Sequence, residues 1–544
     1  MPASPPPESD QPTRAQTVFD ECVRLLQGHG PSAPLREELH RARRRLGEPL
    51  RVAIAGQVSR GKSTLVNAML GVDVVAVGRG ETTDAVTELF HADRPRLTVR
   101  YEDGAAAEGE PADLHRFTVR GKESGGERRI ERVELGLPAD FLKAFRLLDT
   151  PGLASIHEED ALLTETALGL DGPDLDGVSL DGAASGSAAR WHRESEDALE
   201  TADALVFIFD SDVHEQDFAV VERFAAKSPG KVTPVYAIGV YAKCDVHWKP
   251  GGADPLEAFR EVIAANHRSL PMLSRSFFDM VAVAGIVAHG AARLTPELLD
   301  ALRKLAEADP RALAASLRFE RRFVDDGAFA PGVDAEDRRV LLDALQAWGL
   351  SRACDHLREH PGAGIEELRA HLRSLSGVER LNRKLLQHFG NRASFIKLHA
   401  GLHRVRQQLA AVRRASSGPD RAILAVVEAR LDELETEDSS LRELQALAEF
   451  YAADLGFTDA EREEVLRVTG EEGTRCEDRL GLPSTAALSE MEHEAELRAA
   501  HWGLRAESPA LTAKARWVAR IIARTYERIF NRVRQAHSIL DIRE

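Results

Sequence analysis

The sequence predicts an α/β domain with a mostly parallel sheet and helices on both faces, followed by an all-α bundle. Between residue 50 and about residue 290, short apolar runs rich in β-branched residues alternate with helix-like segments, the pattern of a parallel sheet buried on both faces. Beyond residue 294 such runs disappear, and Leu, Ala, Glu and Arg dominate, which predicts helices. The 544 residues suffice for roughly three to four domain-sized units.

The amino-acid composition and net charge limit the kinds of partner that are expected. Hydrophobic residues make up 43% of the chain, and 88 acidic against 71 basic side chains give a net charge of -17. This balance argues against a surface that binds nucleic acid, so no nucleic-acid partner is expected. Membrane contact stays open, because a few cationic or apolar residues at one tip suffice. Four widely spaced cysteines favour a reducing, cytoplasmic compartment, and no run reaches the ~18 apolar residues of a transmembrane helix.

Four segments follow one another along the chain. Residues 1–14 are rich in Pro and Ser, which predicts a disordered tail. Residues 15–47 predict two helices that join a bundle with the C-terminal half, residues 48–292 the α/β domain, and residues 293–544 the helical part, whose last helix (about 509–540) returns to that bundle. Within the α/β domain, residues 167–189 repeat LDGPD, LDGVS and LDGAA. They predict a mobile acidic loop, with a calcium-binding repeat as the disfavoured alternative.

Two helices of the C-terminal half have a clear apolar face. The first has apolar residues at alternating spacings of three and four, namely Phe395, Leu398, Leu402, Val405, Leu409 and Val412. A seam of this kind, as in a coiled coil, packs along another long helix. The segment SSGPD at 416–420 then ends this helix and begins the next, which carries Leu424, Val427, Leu431 and Leu434 on one face. The pair predicts an antiparallel stalk.

The strongest motif is GQVSRGKS at residues 56–63, which matches GxxxxGK[ST] between the strand RVAIA and the helix-like TLVNAML. Its glycines let backbone amides approach phosphates, and the following helix points its positive end at them. Lys62 is expected on the β- and γ-phosphates and the Ser63 hydroxyl on Mg²⁺. The motif predicts a nucleotide site made of Gly56, Gln57, Val58, Ser59, Arg60, Gly61, Lys62, Ser63 and Thr64.

Two further segments supply candidates for the metal and the γ-phosphate. Asp149 begins DTPG after the apolar strand FRLLD, so its carboxylate lies at the carboxyl edge of the sheet and suits the Mg²⁺ shell. The Gly152 amide is a candidate contact of the γ-phosphate. Thr83, with Thr82 in reserve, lies in GRGETTD between the two motifs. A loop there can bring its hydroxyl to Mg²⁺, which makes Ser63, Thr83 and Asp149 the predicted metal ligands.

The segment AKCD, residues 242–245, follows the strand-like run VYAIGVY. The Asp245 carboxylate can accept two hydrogen bonds from guanine N1 and N2, while the stem of Lys243 packs on the base. Adenine lacks these donors, so a carboxylate at this place selects guanine. The alternative is a surface Lys and Asp at the end of a strand.

In this order, GQVSRGKST, ETTD, LLDTPG and AKCD resemble the motifs of the dynamin superfamily of large GTPases. The stretches EPLRVAIAGQVSRGKSTLVNAMLG, ADALVFIFD and SGVERLNRKLLQHFGNRASFIKLHAGL look most like bacterial dynamin-like proteins, especially the mycobacterial isoniazid-inducible ones. The resemblance implies an α/β P-loop GTPase domain on a helical neck and trunk, with GTP/GDP and Mg²⁺ as ligands. It also implies pairing of G domains and membrane remodelling through a lipid-binding trunk tip.

Two positions depart from the family pattern. Val58 stands where the best-known members have a glutamine that orients the attacking water, and Ala242 stands where the base-recognition motif begins with Asn or Thr. The first departure puts efficient intrinsic hydrolysis of GTP in doubt. The second is expected to weaken the bracing of the base-recognition loop more than the selection of guanine. Arg60 is a candidate remedy, because an arginine in cis can stabilise transition-state charge; the alternatives are that it points to solvent or pairs with an acidic neighbour. The predicted catalytic residues are Ser59, Arg60, Lys62 and Thr83.

Membrane contact has weaker candidates. The last helix spaces arginines four residues apart at 516, 520, 524, 528 and 532; each step turns about 40° past a revolution, so the row winds around the helix. This favours packing along other helices with acidic partners, ahead of lipid or nucleic acid. Candidate membrane tips are the polar turn 416–420 and the stretch Phe450, Tyr451, Leu455 and Phe457, for which a core position is the favoured interpretation.

The sequence therefore predicts a dynamin-like GTPase that couples G-domain dimerisation to stalk movement and remodels or cuts bacterial membranes. Expected partners are guanine nucleotide, a second copy of the chain, a second dynamin-like protein and an anionic membrane, with a location in the cytoplasm or on the inner face of the cell membrane. The main alternative is a nucleotide-switched scaffold that never deforms lipid. A ribosome-associated GTPase is more distant, because no basic nucleic-acid module is present.

Overall fold

The computed structural model describes residues 13–28, 32–56, 61–73, 86–114, 117, 130–149, 201–209, 221, 224, 234–416, 418–437 and 439–541. Within this part of the chain, nine strands form one sheet in the order β4-β3-β5-β2-β6-β1-β7-β8-β9. The strands are β1 (Leu50–Gly56), β2 (Thr87–His91), β3 (Arg96–Tyr101), β4 (Ala106–Gly109), β5 (Ile130–Leu137), β6 (Phe145–Asp149), β7 (Ala204–Phe209), β8 (Ala237–Tyr241) and β9 (Met280–Ala282).

The centre of the sheet is parallel, as the apolar runs predict. Strand β1 pairs in parallel with β6 on one side and β7 on the other, and β8 and β9 extend the parallel part. Ile54 lies opposite both Asp149 and Val206. The GKS motif after β1 and the carboxylate that ends β6 therefore emerge at the same edge of the sheet.

The other half of the sheet was not located by the sequence analysis. Strand β2 pairs in parallel with β5 and antiparallel with β6, while β3 is antiparallel to both β4 and β5. These strands are less buried than the centre; all four residues of β4 are exposed or half-buried. A half-solvated antiparallel strand does not read as a continuous apolar run, which is why the pattern missed it.

Helices surround the sheet and continue beyond it. The first ten are α1 (Arg14–Leu25), α2 (Ala33–Gly47), α3 (Lys62–Leu70), α4 (Phe141–Ala144), α5 (Pro255–Ser269), α6 (Pro271–Ser276), α7 (Gly285–Ala292), α8 (Pro296–Glu307), α9 (Pro310–Ser316) and α10 (Glu320–Asp325). The others are α11 (Ala335–Glu359), α12 (Ile365–Leu375), α13 (Val378–Leu385), α14 (Ala393–Ala415), α15 (Pro419–Glu437), α16 (Ser439–Ala452), α17 (Asp459–Val468), α18 (Cys476–Leu480), α19 (Leu488–Glu507) and α20 (Ala513–Asp541).

The predicted pair of long helices, α14 and α15, packs with α1 and α2 around one apolar cluster. Arg406 pairs with Asp432 and Glu435 at 2.6 and 2.7 Å, and Arg413 pairs with Glu428 at 2.6 Å. Because residues later in α14 pair with earlier ones in α15, the two helices run antiparallel. The apolar seam of α14 is buried against the N-terminal helices from Leu398 to Val412, whereas Phe395 is half-buried against the cluster that holds the core of the sheet.

The C-terminal helix differs from the prediction. Its buried residues, from Ala515 to Val533, belong to the cluster that also holds the core of the sheet, not to the cluster of α1, α2, α14 and α15. Helix α20 packs chiefly on α19 and α16, so its expected return to the N-terminal bundle is corrected. Of its five spaced arginines, Arg528 reaches a buried acidic partner, Glu443, at 2.9 Å.

The apolar stretch considered as a membrane tip is largely interior. Phe450, Leu455 and Phe457 are buried, and Tyr451 is half-buried against the same core. The favoured core position of this stretch is confirmed: the Phe457 ring packs edge-on against Trp502 of α19, and the Tyr451 ring lies next to Phe278. Among the described residues, no helix combines the length and apolar character needed to cross a bilayer.

Candidate functional site

The site is built around the start of α3, which follows β1. Gly61 is the residue before the helix and has φ 92°, a left-handed conformation that glycine adopts without strain. Gly56 approaches β7 so closely that a Cβ there would lie 2.8 Å from the Ile208 carbonyl oxygen. Lys62 Nζ donates a hydrogen bond to the Gly56 carbonyl at 3.2 Å. The two glycines and the lysine thus form a tight backbone turn around the helix N-terminus.

The Asp149 carboxylate lies beside this turn at the end of β6. It is fully buried, and its Oδ2 accepts a hydrogen bond from the Ser63 hydroxyl at 3.3 Å. Its Oδ1 is buried without a hydrogen-bond partner. Burial raises the pKa of Asp149 to about 6, against the opposing effects of the Lys62 charge and the Ser63 hydrogen bond. A buried carboxylate of this kind is suited to a cation.

The Asp245 carboxylate is the second buried acid of the site. It lies just after β8 and is 3% exposed, and within the described part of the chain both of its oxygens are buried without a hydrogen-bond partner. Burial raises its pKa to about 6, while its own backbone N–H and the neighbouring charges of His247 and Lys243 act in the opposite direction. Two free acceptor oxygens in a partly closed space match a ligand that presents two N–H donors.

Lys243 joins the two parts of the site. It has φ 59°, and a Cβ on Gly61 would lie 3.9 Å from its Cε atom, so its aliphatic stem lies next to the glycine turn. The departure at Ala242 leaves no side-chain donor to brace this segment. Instead the backbone holds it: the Ala242 N–H donates to the Phe209 carbonyl at 3.2 Å, and the buried Cys244 thiol donates to the Tyr241 carbonyl at 3.1 Å.

The structure thus brings together eight of the predicted positions, which are Gly56, Gly61, Lys62, Ser63, Thr64, Asp149, Lys243 and Asp245. The others lie outside the described residues, as does the repeat at 167–189; they are Gln57, Val58, Ser59, Arg60, Thr82, Thr83 and Gly152.

Sequence reasoning missed the groups that hold the other end of α3. Asn67 is fully buried and donates to Asp73 Oδ1 at 3.4 Å. His289, from α7, lies 2.9 Å from the same oxygen. Two side chains from later helices, Arg373 and Asn382, bond the last carbonyls of α3. Asn67 lies in the segment LVNAMLG after the motif, and Asp73 follows it closely. His289, Arg373 and Asn382 lie more than 200 residues away in sequence.

Comparisons with known proteins agree with this geometry. The model of the dynamin family matches residues 52–244, from β1 to the segment that follows β8. The isoniazid-induced protein IniC of Mycobacterium tuberculosis is 29% identical over 480 residues, which cover 87% of this chain and 88% of IniC. The chain is thus similar to dynamin-like large GTPases. Its match to IniC extends through the helical half, well beyond the motifs.

The chain has further relatives. The isoniazid-induced protein IniA of the same organism is 26% identical over 270 residues, 48% of this chain and 35% of IniA. A solved structure described as "An oligomerised bacterial dynamin pair provides a mechanism for the long range sensing and tethering of membranes" aligns with 98% of this chain and 92% of its own at 13% identity and a TM-score of 0.33.

Proposed function

We propose that this chain binds GTP with Mg²⁺ and hydrolyses it to GDP and phosphate. The observation that carries the proposal is a pair of buried carboxylates: within the described residues, Asp149 Oδ1 and both oxygens of Asp245 have no hydrogen-bond partner. Asp149 ends β6 and Asp245 follows β8, and these strands lie on opposite sides of β1 in the sheet. Burying a carboxylate without a partner is costly. A fold that keeps two of them around a glycine turn favours partners that arrive with the ligand.

The residues at the end of β6 fit Mg²⁺. The free Oδ1 of Asp149 and the hydroxyl of Ser63 are oxygen ligands of the kind that this ion prefers. Bound there, the ion would neutralise negative charge on the β- and γ-phosphates. Thr83 is proposed as a further ligand and Thr82 as its substitute. Gly152 is proposed to contact the γ-phosphate.

The base and phosphates of the nucleotide are assigned to separate groups. Asp245 accepts the guanine N1 and N2 hydrogens, and the Lys243 stem packs on the base. The amides of residues 56–64 hold the phosphates, and Lys62 exchanges its bond to the Gly56 carbonyl for the β- and γ-phosphate oxygens. The electrostatic cost of the free carboxylates is thereby removed when nucleotide binds.

Hydrolysis proceeds by in-line attack of water on the γ-phosphate. Lys62 stabilises the charge that develops on the phosphate oxygens. Arg60 supplies further positive charge in cis, with Ser59 and Thr83 completing the catalytic loops, and pairing of two G domains orders these loops. This arrangement offsets Val58 at the place of a water-orienting glutamine.

For the whole chain we propose the division 15–47, 48–292 and 293–544, after a tail at 1–14. The GTPase domain passes its nucleotide state to the helical part, which remodels an anionic membrane on its cytoplasmic face, with a second dynamin-like protein as a partner. The similarity to IniC covers most of both chains and therefore includes the helical part. A nucleotide-switched scaffold without membrane activity is the competing function.

The test is GTP turnover by the full chain across a titration of anionic liposomes, with ATP as the nucleotide control. The Lys62→Ala variant removes the phosphate-binding amine and is expected to lose turnover by two orders of magnitude or more. GTP-specific turnover that rises with lipid and is lost in the variant supports the proposal. Turnover that ignores lipid, with no liposome binding, favours the scaffold, and absence of GTP-specific turnover contradicts the enzyme assignment.

A further inference from the structure

The C-terminal end of α3 is held by two side chains from the helical half. Arg373 Nη1 donates to the Ala68 carbonyl at 2.6 Å, and its Nη2 donates to the Met69 carbonyl at 3.0 Å. Asn382 Nδ2 donates to the same Met69 carbonyl at 2.9 Å. The last carbonyls of a helix have no partner within the helix, so these bonds satisfy groups that would otherwise be left open.

Arg373 is built into this position. Its side chain is 27% exposed, and burial lowers its pKa from the usual arginine value, which the Glu379 carboxylate partly opposes. The chain turns away from α3 at Gly71 with φ 70°, where a Cβ would lie 3.2 Å from Arg373 Nη1. The guanidinium therefore lies against a glycine turn that leaves room for it. A cation at this end also complements the helix dipole.

A third contact secures the same turn from α7. His289 Nε2 lies 2.9 Å from Asp73 Oδ1, and Arg293 pairs with the other oxygen of Asp73 at 3.3 Å. Asn67 Nδ2 is within 3.4 Å of both Asp73 Oδ1 and His289 Nε2. The end of α3 is thus enclosed by polar contacts from three separate helices, α7, α12 and α13.

These helices lead directly to the long helix of the stalk. Arg373 belongs to α12 and Asn382 to α13; α13 continues through a π-helical turn at Leu386–Gly390 and then α14. Helix α3 is nine residues long, about 13 Å at 1.5 Å per residue. One short, rigid helix therefore separates the phosphate-binding turn from the root of the stalk.

We infer that Arg373 and Asn382 are positioning residues that couple nucleotide binding at the N-terminus of α3 to the placement of α13 and α14 at its C-terminus. The inference rests on the proposed nucleotide site and adds the joint through which the helical half responds to it. Because coupling is reciprocal, loosening the joint weakens nucleotide binding, and nucleotide binding changes the protection of α13 and the π-helical turn.

The experiment uses the full chain, fluorescent GDP as the probe, and hydrogen exchange of residues 378–400 with and without GDP. Arg373→Met removes both hydrogen bonds and the charge, while Arg373→Lys keeps the charge. The matched control is Arg369→Met, one turn earlier on α12, since Arg369 bonds the Leu294 carbonyl and Glu366 rather than α3. Asn382→Leu removes a single bond and serves if Arg373→Met does not fold.

We expect Arg373→Met to weaken GDP binding about fivefold or more and to lose the GDP-dependent change in exchange, with partial recovery in Arg373→Lys. Asn382→Leu should weaken binding about threefold, and Arg369→Met should match the unmodified chain. The inference is overturned if the unmodified chain binds GDP without any change at 378–400, or if Arg373→Met and Asn382→Leu keep both properties. Failure of the unmodified chain to bind GDP would instead overturn the proposed function, and the coupling with it.

Discussion

At the scale of single residues, the site depends on two carboxylates that the nucleotide-free protein holds at a cost. Asp149 keeps one oxygen on Ser63, whereas Asp245 has no hydrogen-bond partner on either oxygen. Burial raises the pKa of both to about 6. A carboxyl whose folded pKa exceeds its unfolded value contributes stability at low pH that is lost as the pH rises through the folded pKa.

The Asp245→Asn variant tests this cost. At pH 8 the free energy of unfolding of the nucleotide-free chain should rise by about 3 kcal/mol, and at pH 5 by about half of that, because a shift from 3.9 to about 6 is worth roughly 1.4 kcal/mol per pKa unit. The variant should also lose GDP binding. Urea unfolding at the two pH values and titration with fluorescent GDP measure both effects.

Asp93→Asn is the matched control for that experiment, because the Asp93 side chain is fully exposed and its contact with His91 at 3.8 Å is a surface contact that contributes little to stability. Its unfolding and GDP binding should follow the unmodified chain at both pH values. Equal unfolding free energies for Asp245→Asn and the unmodified chain at pH 8 would show that Asp245 carries no electrostatic cost.

At the scale of elements, α11 is bent where it meets α7. Gln346 interrupts the helix with φ 54° and ψ 176°, a conformation costly for a residue with a side chain. Its amide Nε2 donates to the Leu342 carbonyl at 3.2 Å. The bend presents the Ala344 carbonyl to Gly290 of α7, where a Cβ would lie only 1.9 Å from that oxygen. Helix α7 in turn packs on α3. The bend in α11 therefore helps to position α3, the helix that follows the glycine motif.

We expect Gly290→Ala to destabilise the chain by at least about 3 kcal/mol, since the clash is with backbone that cannot rotate away. Gly503→Ala is the matched control: Gly503 lies within α19 and has no atom within 4 Å of its Cβ position, so this change should stabilise by about 0.5 to 1 kcal/mol. Thermal unfolding compares the two. Similar melting temperatures for both variants would mean that α7 and α11 do not meet at Gly290.

At the scale of the whole molecule, a buried ion pair ties the N-terminal helices to the sheet. Arg45 of α2 donates to Asp203 Oδ2 at 2.6 Å, and the two side chains are 8% and 1% exposed. The same oxygen accepts the Arg51 backbone N–H at 3.0 Å. Nearby, Lys397 of α14 donates to the Leu46 carbonyl at 2.9 Å. Helix α2, helix α14 and the sheet are thereby joined at one place.

Removing Arg45 leaves Asp203 buried and unpaired. Arg45→Met should therefore destabilise the chain by about 3 to 5 kcal/mol, and adding Asp203→Asn should recover part of the loss. Arg41→Met, on the same helix, removes an exposed arginine paired with Glu37 and Glu38. Because the buried Glu38 keeps its ion pair with Arg404 at 3.4 Å, this change should cost less than about 1 kcal/mol. Urea unfolding of the three variants measures these differences in the free energy of unfolding. Equal losses for Arg45→Met and Arg41→Met would contradict a stabilising ion pair between Arg45 and Asp203.

Much of the architecture could be predicted because its causes are local. The continuous apolar runs of β1, β6, β7 and β8 indicate buried parallel strands, and the alternating spacing in α14 indicates a helix with a partner. The strands β2 to β5 escaped prediction because they do not form continuous apolar runs: buried residues of β3 and β5 are separated by half-exposed ones, and three of the four pairings are antiparallel. The partner of α20 was assigned wrongly, since an apolar face predicts that a helix is covered but not by which element.

The candidate site shows the same division. The glycine turn, Lys62, Ser63, Asp149 and Asp245 were recognisable because the chemistry of a phosphate or a base requires particular residue types at fixed places after strands. Residues close together in the sequence meet such requirements. The hydrogen bonds of Arg373 and Asn382 to α3 could not be predicted in this way, because they join residues about 300 positions apart. Which side chain reaches a helix end depends on how the whole chain packs, and that packing is a property of the folded molecule.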